Sequence, residues 1–185
     1  MYNSAKAAQI IAYFALKNPI RLINMLKAIK LVYIADRESA RIFAVPMLDE
    51  LRSSLPLGPV NSQSYDLAKG EAESEGWTTV LQDREEHQIG VKPGIVVDDL
   101  DELSEAETEI LEDVWTQFGH MNQWQLVNWT HNPKNVPEWE DPGSSSNPIP
   151  LERLLMAVGI ESASEQAEFL RDKSAIDKIF VDLAA

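Results

Sequence analysis

From Ile20 to about Arg41 apolar residues return at helical spacing: at about 100° per residue, Leu22, Met25, Leu26, Ile29, Val32 and Tyr33 share one arc. Asp36 falls inside that arc, whereas Lys27, Lys30, Arg37 and Arg41 gather on a separate stripe. The pattern predicts a helix with a core side and a basic side. A buried carboxylate is costly unless it is paired or hydrogen-bonded, so Asp36 needs a fixed partner: backbone N–H groups of another segment, a hydroxyl or a histidine. Ala5 to Leu16 reads as an earlier helix, set off by Asn18-Pro19, and the two are expected to pack as a pair.

Downstream the pattern breaks into shorter pieces. Gly58-Pro59-Val60 is expected in a loop ahead of a short helix, Ser62 to Lys69, which Gly70 stops. Trp77-Thr78-Thr79-Val80-Leu81 and His87-Gln88-Ile89-Gly90-Val91 flank the polar run Asp83-Arg84-Glu85-Glu86, an arrangement that predicts a β-hairpin, the one β element expected. Ser104 and Glu107 form a capping box for a helix whose Ile110, Leu111, Val114, Trp115 and Phe118 face inward, whose outer side is acidic, and which ends at Gly119. Asn122 caps a further helix through Thr130, after which Asn132-Pro133 and Pro137 force an irregular path. Asp141 to Pro148 reads as a flexible linker, followed by helices from Leu151 to Val158 and from Ser162 through Leu183. The expected fold is thus mainly α: a compact helical domain over residues 1–140 with one small β-hairpin at about 76–92, a linker at 141–149 and a C-terminal helical appendage at 150–185.

With 185 residues, 44% of them hydrophobic, the chain can bury enough surface in one core to fold without a staple. It has no cysteine, which excludes disulfides, thiolate zinc sites and a cysteine nucleophile and suits a reducing cytoplasm. No secretion signal and no apolar run of about 18 residues is present, so a soluble, unexported, cytoplasmic protein without a membrane partner is expected. The formal net charge of −14 is unevenly placed: residues 1–45 hold seven Lys/Arg and two acids (+5), the remainder nine and twenty-eight (−19). Nucleic acid is not an expected partner, because phosphate binding needs clustered Lys/Arg. The acidic surface is either simply solvated or a docking field for a basic protein.

The run Leu26-Lys27-Ala28-Ile29-Lys30-Leu31-Val32-Tyr33-Ile34-Ala35-Asp36 is followed by Gly58-Pro59-Val60, by Leu103-Ser104 opening an acidic helix, by Leu126 through Thr130-His131, and by Pro137-Glu138-Trp139. In order and spacing this resembles the Panacea antitoxin domain of the SocA-like family, over roughly residues 5 to 140. The chain departs from that pattern in a longer acidic insertion before Leu103, in Pro-Glu-Trp where the family more often has Pro-Trp, and in a distinct tail after Asp141. The resemblance implies a non-enzymatic antitoxin of a bacterium or phage that binds and neutralises a cognate toxin protein. It makes Tyr33, Asp36, Gly58, Pro59, Val60, Thr130 and His131 structural motif residues. Its alternative is a proteolytic adaptor delivering the toxin to a ClpXP-type protease, and it leaves open whether the antitoxin forms a homodimer.

The remaining chemistry is sparse. None of the three histidines, His87, His120 and His131, has a second His or a carboxylate at metal-binding helical spacing, and neither a metal nor another cofactor is expected. As a neutral imidazole, His131 could meet Asp36 or cap a turn; a small hydrolase using His131, Asp36 or Glu138 is the competing reading. Gly90 to Gly94 lacks the spacing of a phosphate loop, and acidic pairs such as Asp98-Asp99 have no apolar shelter to raise a pKa. Lys27, Lys30, Arg37 and Arg41 form the one concentrated positive patch, either bridged to the protein's own acids or facing a partner. Trp139 is expected to plug the His131 turn or to anchor an interface. Leu183-Ala184-Ala185 is similar to the tail of the tag that marks stalled translation products for ClpXP, and reads as a degradation signal or an ordinary helix end.

Overall fold

In the computed structural model, which describes residues 2–82 and 86–184 with the side chains of Asp182 and Ala184 excepted, α1 spans Ser4–Leu16. Asn3 starts it by accepting a hydrogen bond from the Lys6 amide, and Ala7 through Ala15 are all buried, as a helix with apolar residues on every side must be. The chain then departs from the expected continuous helix. Arg21 adopts a left-handed φ of 57°, and Leu22–Asn24 form a strand, β1. Only Ile23 of its three residues is buried, and Asn24 in turn caps the helix α2 (Met25–Phe43) through the Lys27 amide. The helical start expected at Ile20 is therefore corrected to Met25. The left-handed residue and the asparagine cap interrupt the periodicity that Leu22 shares with the helix.

Helix α2 is the axis of the fold. Every residue from Ala28 to Arg37 is buried, charged ones included. Around it lie α1, α5 (Glu105–Phe118) and α6 (Gln123–Thr130), with the strand β3 (Gly58–Asn61) and the helix α7 (Leu151–Ala157). The main core joins Phe14, Ile29, Leu111 and Leu126, each fully buried; such side chains contribute roughly 1.5–3 kcal/mol apiece. A smaller cluster joins Tyr33, Ala40, Val136, Ile149, Leu154 and Leu155.

The β content differs from a single hairpin. Gly58-Pro59-Val60, expected in a loop, lies in β3, antiparallel to β2 (Arg52–Leu55) with Ser54 opposite Pro59. The third strand of that sheet, β5 (Asn147–Ile149), comes from the end of the expected linker and pairs with β2 in the order β3-β2-β5. Ile149 and Leu154 thereby enter the second core, so the segment after residue 146 is packed onto the domain.

The Trp77-to-Leu81 arm of the expected hairpin is instead the helix α4 (Glu75–Val80), packed on α1, and of the expected pairing the described residues keep an antiparallel bridge from Leu81 to Val91. It buries Trp77 and Val80, three residues apart, while Thr78 and Thr79 turn their hydroxyls back to the Glu75 carbonyl. Packing against α1 here overrides the β preference of Trp, Thr and Val. The other arm does form a strand, β4 (Gln88–Gly90), but its partner is β1, with Ile23 opposite Ile89. The expected turn residues Asp83, Arg84 and Glu85 lie outside the described residues.

The capped helices match their sequence signals. α3 (Ser62–Lys69) stops at Gly70 in the left-handed region; Ser104 and Glu107 close a capping box on α5; Asn122 and Gln125 close another on α6. The last helix, α8 (Ala163–Ala184), follows α7 and packs against it. The fold is mainly α, with two small sheets among the described residues.

Candidate functional site

The residues singled out by motif converge on the buried flank of α2, where they form three adjoining polar groups. In the first, Asp36 accepts hydrogen bonds from the Leu48 amide (2.9 Å), Arg52 Nε (2.6 Å) and Asn61 Nδ2 (3.0 Å). Arg52, itself buried, also donates to the carbonyls of Glu50 and Leu48. Glu50 accepts from the amide and hydroxyl of Ser64, and burial pushes its carboxyl up to about 7. One helix residue thus ties down the 46–52 loop, β2 and β3 together.

In the second group, Glu138 Oε1 accepts from Tyr33 Oη (2.9 Å) and Arg37 Nε (2.7 Å), fastening the irregular segment after α6 to α2. Its other oxygen, Oε2, is buried without a hydrogen-bond partner. Burial and then the Glu138 charge hold the Tyr33 phenol well above its ordinary value.

The third group surrounds Lys30. Its ammonium is fully buried, donates to the Pro59 carbonyl (2.7 Å), and has no carboxylate partner among the described residues; burial pushes it down to about 7. Thr130 bonds back to the Val127 carbonyl, and His131 ends α6. The His131 ring stacks on Trp139 at 4.3 Å and 24°, while Trp139 Nε1 donates to the Leu55 carbonyl. Burial and the nearby Lys30 charge lower the pKa of His131, and its Nε2 is buried without a partner.

These contacts fix where each expected site residue stands. Asp36 and His131 do not meet: Asp36 is held by Arg52, Asn61 and Leu48, and His131 by Trp139 and the Pro56 backbone. Nor do Lys27, Lys30, Arg37 and Arg41 form one exposed stripe, because α2 is buried on every side from Ala28 to Arg37. Lys27 donates to the Gly119 carbonyl and sits over the Trp115 ring; Lys30 and Arg37 are buried; Arg41 alone is largely exposed, paired with Glu38. Trp139 occupies the His131 turn. Leu183 is exposed, whereas Ala185 and the side chain of Ala184 lie outside the described residues. Arg52, Asn61, Glu50 and Ser64 were not singled out from the sequence. The one available signal was the demand of a buried Asp36 for donors, which does not say which segment supplies them.

Gly58 explains the glycine of its motif. Its φ is +97°, and an added Cβ would stand 2.6 Å from Thr130 Oγ1 and 3.1 Å from Lys30 Nζ. Gly70 has a similar φ of +75° but open space around it. Gly58→Ala is expected to cost about 2 kcal/mol or more and Gly70→Ala only about 1, because the first adds a clash to the same backbone strain. Urea denaturation of the two variants checks this; equal losses would show that Thr130 and Lys30 do not crowd Gly58.

No group of His, Asp and Glu among the described residues is arranged to hold a metal ion, and no described helix is long and apolar enough to cross a membrane. Two surface grooves, of about 580 and 1050 Å³, lie around α4 and β4 and are lined by none of the motif residues. Fold and site together define a mainly helical domain whose motif residues lock its own segments around a buried polar centre. The family model described as antitoxin SocA-like, Panacea domain, matches residues 29–140, well over half of the chain, and the chain belongs to that family. The match begins inside α2, so α1, which the resemblance took in, precedes it, while β5, α7 and α8 follow it. Comparison with curated proteins and with solved structures finds no match.

Proposed function

We propose that this protein is an antitoxin of the cytoplasm that neutralises a cognate toxin by direct protein–protein contact, without catalysis of its own. The observation that carries this reading is family membership combined with the inward placement of the motif. Tyr33, Asp36, Gly58, Pro59, Thr130 and His131 are used to hold α2, the β2–β3 hairpin and the segment after α6 together. Their inward placement leaves recognition to the outer surface. The hydrolase reading finds no support in the geometry, since Asp36 and His131 have separate partners.

Neutralisation would proceed by covering the toxin's working surface, with about 1,600 Å² buried in total if the complex is of standard size. The excess of acids after residue 45, twenty-eight against nine Lys/Arg, would speed encounter with a basic toxin. The test is co-expression with the product of the adjacent reading frame, in cells where that product alone stops growth. Growth should return, and the two proteins should purify as one complex with the toxin level undiminished. Rescue through protease-dependent loss of the toxin would replace occlusion by the adaptor mechanism, and no rescue at all would sink the antitoxin reading.

A further inference from the structure

Helix α8 carries two faces that point in nearly opposite directions. At about 100° per residue, Ala163, Ala167, Leu170 and Ser174 fall on one side. As far as Ser174 that side meets the domain: Ala163 and Ala167 are buried, and Ser174 donates to Asp49 Oδ2 at 2.5 Å, whereas beyond it the described side chains are exposed all round, Val181 of the same side at 52%. Phe169, Ile176, Ile179, Phe180 and Leu183 fall on the other, and they are 61%, 52%, 57%, 67% and 78% exposed. Ala163 and Ala167 pack while these five large apolar residues face solvent, so the helix does not use them to cover the protein's own core. Together the five expose on the order of 600 Å² of apolar surface, more than scattered surface residues would and close to the roughly 800 Å² per partner of a stable interface.

Charge selects the occupant. Glu165 and Asp172 lie within the apolar arc and Glu168 at its edge; all three are exposed and none is in an ion pair among the described residues. Lys173 borders the other edge, whereas Arg171 and Lys178 fall nearer the side that meets the domain. A second copy would bring Glu165 and Asp172 against an equally acidic surface, on two chains of net charge −14 each. A groove edged with Lys or Arg offers apolar cover and opposite charge together.

We infer that the outward face of α8 is a docking helix, laid apolar side down in a basic-edged apolar groove of the toxin. The inference rests on the antitoxin reading and deepens it, because α8 lies beyond the family match at residues 29–140. The shared domain then supplies the scaffold, and this chain's own helix anchors its particular partner.

The test uses the full chain, the double variant Ile176→Glu/Phe180→Glu, and the purified product of the adjacent reading frame. Both substitutions are at exposed positions, so the melting temperature should stay at the wild-type value while the Kd for that product rises by about tenfold or more and growth rescue weakens. Glu165→Lys with Asp172→Lys should slow association and flatten its salt dependence. Wild-type rescue matched by equal rescue and equal Kd in the Ile176/Phe180 variant would overturn the docking role while leaving the antitoxin reading standing; failure of wild-type rescue would remove both. A wild-type dimer in sedimentation that the variant abolishes would assign the face to self-association and overturn the proposal.

Discussion

Asp36→Ala is expected to lower stability by about 3–5 kcal/mol, the range for breaking a buried ion pair by removing one partner. A lost hydrogen bond alone would cost about 1–3 kcal/mol. The larger figure follows from Arg52, whose side chain is 4% exposed and would keep only the Glu50 and Leu48 carbonyls as hydrogen-bond partners, with no carboxylate in direct contact. The Leu48 amide and the Asn61 amide group lose their acceptor in the same step. Urea denaturation measures the loss, and Arg52→Met supplies the control. Adding it to Asp36→Ala removes the stranded charge, so the double variant should be clearly more stable than the sum of the two single losses predicts. Strict additivity would mean that the two side chains do not act as a pair.

Stability should also depend on pH through two buried groups of opposite kind. Lys30 has its amine lowered from 10.5 to about 7 by burial, so between these values the unfolded chain binds the additional proton and stability rises with pH. From pH 7 to 10 the gain is about 3 kcal/mol. Glu50 has its carboxyl raised from 4.5 to about 7, so between those values the folded chain holds the additional proton and stability falls as pH rises, by about 2 kcal/mol. His131, lowered by burial and by Lys30, opposes Glu50 on the acid side, while Asp36 and Arg52 act on Glu50 in opposite directions. Both Lys30 and Glu50 are therefore least favourably charged near neutrality. Lys30→Met should abolish the alkaline rise and Glu50→Gln the acid-side fall, each read from unfolding free energies at a series of pH values. A Lys30→Met curve parallel to wild type from pH 7 to 10 would show that the ammonium is solvated.

Where local chemistry determines structure, the sequence is readable. The capping box at Ser104/Glu107, the Asn122 cap and Gly70 after α3 act within a few residues, and these helices form as their signals predict. Where a partner segment decides, the sequence is silent or misleading. Leu22-Ile23 continues a helical arc but becomes a strand because β4 arrives beside it, and Trp77-to-Val80 has strand-forming residues but coils against α1. The candidate centre shows the same division. Its anchor, Asp36, is visible as a carboxylate on an apolar arc, whereas Arg52 and Asn61 look like ordinary polar residues of a short, alternating stretch. The basic stripe fails for a related reason: helical phase says which residues share a side, not whether that side meets water.

The concentration of ties on α2 also governs how the chain comes off the ribosome. Lys30, Asp36 and Arg37 emerge early, yet Lys30 waits for Pro59, Asp36 for Leu48, Arg52 and Asn61, and Arg37 for Glu138. Until residue 138 is made, Arg37 on the central helix lacks the carboxylate it is buried against. Contacts this far apart in sequence close late and slowly, and synthesis proceeds from the N-terminus at about 5–20 residues per second. The Lys30 and Asp36 ties can thus close once Asn61 is made, whereas the Arg37 tie, and with it the segment after α6, must wait until more than two thirds of the chain exists.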